Sequence, residues 1–279
     1  MTQSFWENNM TKQKGIFYGW WIVLACVIIM TFLFAPIVNL VSLFTLPVTE
    51  DLSFGRSEFM TYYTIMAFVS MIMSPIAGKL IKKLNIKLYL SIFTIIGAIS
   101  YIGFSFSTAL IHFYLFAIPM GISIAGAAMI PTSVLITNWF NEKRGLCLGI
   151  ALSGSGLGGV VLSPLLNWLI TDYGWRNAYL ITGIIILIVI LPFALFVIKF
   201  KPADKALLPL GEIQSTNSEP IGVTQKEALK SVSFWSLCLA IVVASIVVNG
   251  MIINLAPYLI DIGATAKNAA LLLFIGWQW

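Results

Sequence analysis

Charged residues are scarce in this 279-residue chain, where Asp, Glu, Lys and Arg make up 10% of the sequence. A typical soluble domain carries about 25%. Hydrophobic residues make up 59%, and the mean hydropathy is +0.95. Because so few charges cannot cover a globule of this size in water, the composition excludes a soluble protein. It predicts a protein whose solvent is lipid.

Cysteine and histidine are also rare, with three cysteines and one histidine, His112. Cys26, Cys147 and Cys238 lie far apart inside apolar runs, which excludes a disulfide framework and the usual metal-ligand spacings. The sequence contains no zinc-protease motif, phosphate-binding loop or glycine-flanked nucleophile elbow. We therefore expect no enzyme activity, no metal ion and no cofactor.

Apolar runs long enough to cross a bilayer as a helix, about 20 residues each, recur along the chain. We predict seven transmembrane helices, at Tyr18–Leu46, Phe59–Leu80, Leu88–Ser107, Leu110–Trp139, Leu146–Ile170, Ala178–Ile198 and Phe234–Ile260. An eighth run begins near Asn268 and reaches Trp279 after about a dozen residues. That run is too short to span, so the last helix is expected to be cut short or replaced by an aberrant tail.

Basic residues predict the orientation, because Lys and Arg accumulate in cytoplasmic loops. If successive loops alternate sides, 13 of the 16 lie on one side, which includes the N-terminus. The N-terminus is therefore predicted to be cytoplasmic, in a multi-pass protein of the plasma membrane or a bacterial inner membrane. This distribution also explains the basic pI without a nucleic-acid partner.

A polar stretch from Lys199 to Lys230 interrupts the apolar sequence. It contains five lysines, four acidic residues and three prolines. We interpret it as a cytoplasmic linker. The predicted organisation is a cytoplasmic tail (1–17), a six-helix transmembrane bundle (18–198), the linker (199–230), and helix seven with the start of helix eight of an incomplete second bundle (231–279).

A lysine-rich loop follows the second predicted helix, and its residues are Gly78-Lys79-Leu80-Ile81-Lys82-Lys83-Leu84-Asn85-Ile86-Lys87. Its lysines suit an anionic membrane surface, and Asn tolerates the left-handed conformation that often ends a helix. The loop resembles the major facilitator superfamily signature Gly-x-x-x-Asp-Arg-x-Gly-Arg-Arg between helices two and three. Gly78, Lys83 and Lys87 match in kind, while Lys82 replaces the family's Asp.

Two further segments are similar to the monocarboxylate and oxalate:formate groups of that superfamily. They are the stretch from Asn138-Trp139-Phe140 through Arg144-Gly145 to Gly149, and Gly174-Trp175-Arg176. The resemblance implies an all-α, polytopic helical bundle of the major facilitator type, consisting of the six-helix N-terminal half and the start of the second half. It covers about half of a twelve-helix member, so the chain is expected to be truncated.

The fifth predicted helix is rich in glycine, and Gly154-Ser155-Gly156-Leu157-Gly158-Gly159 formally fits a dinucleotide fingerprint. That fingerprint needs a preceding strand and an exposed helix N-terminus, which an apolar span does not provide. Small residues instead let transmembrane helices approach closely. We expect Gly154, Gly156 and Gly159 to serve helix packing.

Ionisable residues are absent from the centres of all seven predicted helices, although such residues usually mark the pathway of a transporter. Neutral polar and aromatic groups therefore remain as candidate substrate contacts. They are Asn39, Tyr63, Ser123, Ser155, Asn249, Asn254 and Tyr258. In the resembling groups an arginine in helix eight pairs with the substrate carboxylate, and no arginine follows Arg176 here.

The resemblance implies a secondary carrier of small organic anions, monocarboxylate or dicarboxylate, that works by alternating access. A half-bundle cannot enclose a two-sided site, so a complete C-terminal half or a homodimer would be needed, with membrane lipid as the other partner. A second hypothesis from a different class is a transport-incompetent fragment or membrane scaffold.

Overall fold

The computed structural model describes residues 17–205, 207–211 and 225–261, and for residues 225, 226, 228 and 248–261 it describes the backbone alone. Apart from one isolated bridge between Phe140 and Leu210, the regular structure of these residues is helical. The chain divides between Glu212 and Ile213 into two compact units, which are considered separately below. The division falls within the predicted linker.

The first transmembrane span consists of three helical pieces. Helix α1 is Gly19–Ile29, a π-helical segment covers Met30–Asn39, and helix α2 is Val41–Leu52. Pro36 lies inside the π-helical segment. Proline has no N–H to donate and its ring crowds the preceding turn, so one α-helical hydrogen bond is lost at Pro36. The π pattern covers the turns on both sides of it.

The next spans follow as a series of long helices. They are α3 (Arg56–Leu80), α4 (Ile86–Ser105), and a fourth span made of α5 (Leu110–Ser123), the π-helical segment Ile124–Met129 and α6 (Ile130–Trp139). Helix α7 (Arg144–Pro192) continues into a third π-helical segment, Phe193–Val197. The boundaries of these later spans agree with the predicted ones to within three residues, whereas the first span ends at Leu52, beyond the predicted Leu46.

Helix α7 and its π-helical continuation together cover 54 residues. A straight helix of that length would be about 80 Å long, against a hydrocarbon layer of about 30 Å. Gly174 breaks it with φ +79° and ψ 159°, outside the helical region. Because glycine lacks a Cβ it adopts this conformation without strain. The break separates the fifth span (144–173) from the sixth (175–197).

Close packing of the first span against the fifth depends on two glycines one turn apart. A Cβ added to Gly154 would lie 2.5 Å from the Val27 carbonyl oxygen, and one added to Gly158 would lie 2.6 Å from that of Thr31. The Thr31 hydroxyl also donates to the Gly154 carbonyl at 2.8 Å. In lipid, such backbone contacts replace the hydrophobic effect as the source of helix association.

Gly156 and Gly159 occupy a different face of the same helix. A Cβ added to either would meet no atom of the described residues within 4 Å. Within that part of the chain Gly154 and Gly158 make the close contacts, and packing by Gly156 and Gly159 stays a prediction. Helical periodicity separates the two pairs, since residues four apart share a face while residues two apart lie on opposite sides.

One end of the bundle is held by a polar and aromatic cluster. Asp51 accepts hydrogen bonds from the Arg176 guanidinium at 2.6 Å and from the Trp175 indole N–H at 3.1 Å. The Arg176 guanidinium also lies 4.1 Å from the Trp175 ring centroid. The cluster fixes the end of the first span to the start of the sixth.

At the opposite end, here called the lysine-rich end, residues 198–205 and 207–211 lie against the loop between the fourth and fifth spans. The Trp139 indole N–H donates to the Lys199 carbonyl at 3.0 Å, and the Asn138 amide donates to the Phe200 carbonyl at 3.1 Å. The backbone N–H of Leu210 donates to the Trp139 carbonyl at 3.0 Å. The first part of the predicted linker is therefore packed onto the six-span unit.

The second unit contains helix α8 (Gln225–Lys230) and helix α9 (Val232–Asp261). Helix α9 has 30 residues and coincides with the predicted seventh span. The predicted start of an eighth helix, after Asn268, lies outside the described residues, as does the N-terminal tail up to residue 16.

Candidate functional site

A cavity of about 360 Å³ lies in the six-span unit, between the first, second and fourth spans. Its lining residues come from all three spans and are Phe34, Val38, Tyr63, Met66, Ala67, Ser70, Met71, Ser74, Ile124, Ala125, Met129 and Ile130. This volume falls within the range of small-molecule pockets, which are mostly apolar with a few polar groups. The cavity is the candidate substrate site.

Two of the three spans around the cavity are π-helical where they line it. Phe34 and Val38 lie in the segment Met30–Asn39, and Ile124, Ala125 and Met129 lie in the segment Ile124–Met129. π-helical turns are rare and occur often at functional sites. Such turns also disturb the regular hydrogen bonding of the helix. The two π-helical segments are therefore a second indication, separate from the cavity, that this part of the bundle is a functional site.

The second span supplies the hydroxyl groups of the cavity. Tyr63, Ser70 and Ser74 recur at the spacing of one helical face, along with Ala67. Ser74 donates its hydroxyl to the Ser70 carbonyl at 2.7 Å. The side chains of Tyr63 and Ser70 make no hydrogen bond to any described residue. Two hydroxyl donors are thus free for a ligand.

The remaining lining side chains are apolar, and three of them are methionines. Methionine is flexible and polarisable, so it adapts to ligands of irregular shape. Among the described residues, the lining includes no Asp, Glu, Lys, Arg or His. The cavity can therefore offer hydrogen bonds and apolar contact, but no fixed charge.

The predicted substrate contacts of the six-span unit lie in different surroundings. Of the four in the six-span unit, Tyr63 lines the cavity and Asn39, Ser123 and Ser155 do not. The Asn39 amide donates to the Ser155 carbonyl at 3.1 Å, and the Ser155 hydroxyl donates to the Leu152 carbonyl at 3.0 Å. Both residues therefore connect or cap helix backbones. Ser123 is fully buried and faces Gly97 on the third span.

The other three predicted contacts, Asn249, Asn254 and Tyr258, lie along helix α9 in the second unit. Their side chains lie outside the described part of the structure. They stay predictions.

Ser70 and Ser74 are cavity residues that the sequence reasoning missed. The signal was available in the periodicity, because Tyr63, Ala67, Ser70 and Ser74 form one small and polar stripe along an otherwise apolar helix. That stripe distinguishes them from Asn39, Ser123 and Ser155, which are isolated polar residues that meet neighbouring helices.

The lysine-rich loop is a tight turn between α3 and α4. Lys82 and Lys83 are exposed, and a Cβ added to Gly78 would meet no atom within 4 Å. Asn85 is in the extended region (φ −61°, ψ 127°) and its side chain accepts from the Lys87 backbone N–H at 3.0 Å. The expectation of a left-handed Asn85 is wrong, because Asn85 caps the start of α4 rather than the end of α3.

Family comparison decides the fold family of this bundle. The sequence matches the family model of the Major Facilitator Superfamily over residues 16–277, nearly the whole chain. The chain belongs to the major facilitator superfamily. This major facilitator chain is also similar to a crystal structure described as a bacterial homolog to the human lysosomal transporter Spinster, in an inward-facing and unoccupied conformation. The TM-score is 0.66 at 21% identity, over 91% of this chain and 58% of that one.

Among curated proteins, the chain is similar to human monocarboxylate transporter 12, with 27% identity over 300 residues. The alignment covers 92% of this chain and 54% of that relative. Rat monocarboxylate transporter 13 is 32% identical over 110 residues, which cover 39% of this chain and 26% of the relative. The major facilitator chain thus spans about half the length of the first of these relatives.

Proposed function

We propose that this chain supplies the N-terminal half of a secondary carrier for small organic anions, with mono- or dicarboxylates as substrates and alternating access as the mechanism. The cavity between the first, second and fourth spans would hold the substrate near the membrane midplane, where major facilitator proteins place it. The names of the similar monocarboxylate transporters support this substrate class.

The observation that carries the proposal is the pairing of free hydroxyls with an apolar wall. Tyr63 and Ser70 present donors to one side of the cavity, and Met66, Met71 and Met129 form apolar surface. A carboxylate accepts hydrogen bonds from O–H groups, and the carbon body of a small organic acid fits against methionine. The arrangement therefore suits a molecule with one polar end.

The same cavity lacks the cation that a dehydrated carboxylate requires. Burying an unpaired charge costs far more than two neutral hydrogen bonds return. The cation must therefore come from outside the six-span unit. We propose that a complete C-terminal half, or a second copy of the chain, supplies it together with the other wall of the site.

A membrane scaffold without transport activity is the second candidate. The observation in its favour is the same missing cation among the described residues that line the cavity. The two candidates differ in one respect: a carrier half has a cavity that binds carboxylates once a partner half is present.

Substrate protection of a cysteine at Ser70 tests the carrier proposal. A hybrid joins residues 1–230 of this chain to the C-terminal half of a related carrier, with native cysteines replaced. We expect Ser70→Cys in the hybrid to react with a water-soluble maleimide and to be protected by a transported carboxylate, because the ligand covers position 70. Ser57→Cys, exposed on the same helix and outside the cavity, should react equally with or without the carboxylate. Labelling of Ser70→Cys that no carboxylate slows would favour the scaffold.

The proposed orientation places the N-terminus and the linker in the cytoplasm, because 13 of the 16 basic residues lie on that side. In a cysteine-free version expressed in intact cells, single cysteines at Asn8 and Ser215 should resist membrane-impermeant thiol reagents until the cells are permeabilised. Tyr173→Cys is the matched control at the opposite end, where the exposed side chain should label at once. The reverse pattern would overturn the orientation.

A further inference from the structure

The described hydrogen-bonding side chains of the cavity belong to a single span. Tyr63, Ser70 and Ser74 are on the second span, and the Ser74 hydroxyl already donates to the Ser70 carbonyl at 2.7 Å. Within the described lining, the first and fourth spans contribute apolar side chains alone, and these are Phe34, Val38, Ile124, Ala125, Met129 and Ile130. A ligand therefore meets hydrogen-bond donors on one wall and apolar surface on the walls of the other two spans.

The volume of the cavity shows how large the apolar part of a ligand can be. The cavity measures about 360 Å³. Since a water molecule takes up about 30 Å³ in the liquid, this volume holds roughly a dozen non-hydrogen atoms. An acid as small as pyruvate would fill about half of it and would leave the apolar walls in contact with water. Apolar surface that stays in contact with water contributes nothing to binding.

Two alanines keep the cavity open at this width. Ala67 lies on the second span between Tyr63 and Ser70, and Ala125 lies in the π-helical segment of the fourth span. Every other apolar residue of the described lining is larger. Because alanine ends at its Cβ, a leucine at position 125 would take up part of the volume that is now free for a ligand.

The apolar walls favour a ligand with an aromatic or branched body. Phe34 supplies a ring against which a second ring can pack, and aromatic pairs gain binding free energy beyond the area that they bury. Met66, Met71 and Met129 supply thioethers, which make favourable contacts with ring edges and adapt to irregular shapes.

We propose that the ligand of the cavity carries a bulky apolar body, aromatic or branched, of about eight non-hydrogen atoms beyond its carboxylate group, and that Ala125 determines this size preference. The polar end lies toward Tyr63 and Ser70, and the body lies against Phe34 and the fourth span. The carboxylate rests on the proposed function, whereas the fit of the body is a property of the six-span unit itself.

Protection of a cysteine at Ser70 by uncharged amides tests this proposal on the full chain. The chain is reconstituted in liposomes with its native cysteines replaced, and Ser70→Cys reacts with a water-soluble maleimide in the presence of 3-phenylpropanamide or propanamide. An amide keeps a hydrogen-bonding end for the Tyr63 hydroxyl but carries no charge, so it needs no cation from a second half.

We expect 3-phenylpropanamide to protect position 70 at a roughly 10- to 100-fold lower concentration than propanamide, because burial of a phenyl ring adds that much affinity. Ala125→Leu should lower this ratio about tenfold, since the leucine side chain occupies space that the ring needs. Thr61→Leu is the matched control and should keep the ratio of the unchanged chain. Thr61 is exposed on the same span as Ser70, lies outside the cavity, and donates its hydroxyl within its own helix to the Ser57 carbonyl.

Equal protection by the two amides would overturn the proposal, and so would a ratio that Ala125→Leu leaves unchanged. Equal slowing at the exposed Ser57→Cys would also overturn it, because it would show partitioning into the lipid rather than binding. If Ala125→Leu does not fold, Ala67→Leu at an exposed position of the same cavity should lower the ratio. The carrier proposal fails separately: if carboxylates do not protect the hybrid while the amides still differ in the full chain, the site for the apolar body stands and the carrier does not.

Discussion

No saturable carboxylate uptake is expected when the 279-residue chain is reconstituted alone in liposomes. A carboxylate that enters the cavity loses most of its hydration, and the cavity returns hydrogen bonds but no cation. The hybrid with a related C-terminal half that carries an arginine in helix eight should restore uptake, because the arginine supplies the missing charge. Uptake of a radiolabelled monocarboxylate measures both results.

Tyr63→Phe and Ser70→Ala in that hybrid remove the two free hydroxyl donors of the cavity. A hydrogen bond to a charged group contributes about 1.5–3 kcal/mol, so each change should lower the ratio kcat/KM by roughly 10- to 100-fold. Tyr173→Phe removes an exposed tyrosine hydroxyl far from the cavity and should leave uptake unchanged. Saturable, carboxylate-inhibited flux through the short chain alone would contradict the charge argument. Unchanged uptake in both cavity variants would remove these hydroxyls from the site.

The second large effect is expected from the packing glycines. Gly154→Ala with Gly158→Ala should destabilise the six-span unit by roughly 1–3 kcal/mol for each glycine, the usual cost of overpacking. The added methyl groups would meet backbone oxygens of Val27 and Thr31 that cannot rotate away, so the first and fifth spans must separate. Thermal unfolding of the purified chain in detergent gives the measurement.

Gly156→Ala with Gly159→Ala is the matched control on the same helix. Both positions are open within the described structure, and alanine favours a helix over glycine by about 1 kcal/mol. The control pair should therefore leave stability unchanged or raise it, opposite in sign to the packing pair. Equal losses in the two double variants would mean that the spacing of the glycines does not set the contact.

The spans could be predicted from the sequence because their cause is local. A run of about 20 apolar residues is stable only across the bilayer, whatever the rest of the chain does. The break at Gly174 was also visible, as the polar gap between Ile170 and Ala178. The π-helical segments could not be predicted from the sequence. The π-helical hydrogen bonding around Pro36 depends on how neighbouring helices accommodate the freed backbone groups.

The predicted substrate contacts stay predictions. Asn39 and Ser155 are polar residues in apolar spans, as substrate contacts are, and in the folded bundle the Asn39 amide donates to the Ser155 carbonyl while the Ser155 hydroxyl donates to the Leu152 carbonyl. Asn85 was expected to end one helix and instead begins the next. In each case the residue type is compatible with both roles. The backbone group that lies next to the side chain in the folded protein decides which role it takes.

The sequence by itself determined the membrane environment, the number and limits of the spans and the basic end of the bundle, because hydropathy and charge act on each segment separately. Only the tertiary structure decided which face of each span meets another span and which lines the cavity. Rotation of a helix about its axis leaves its hydropathy unchanged. The rotation of each helix is set by close backbone contacts such as those of Gly154 and Gly158, whose partners lie more than 120 residues away along the sequence.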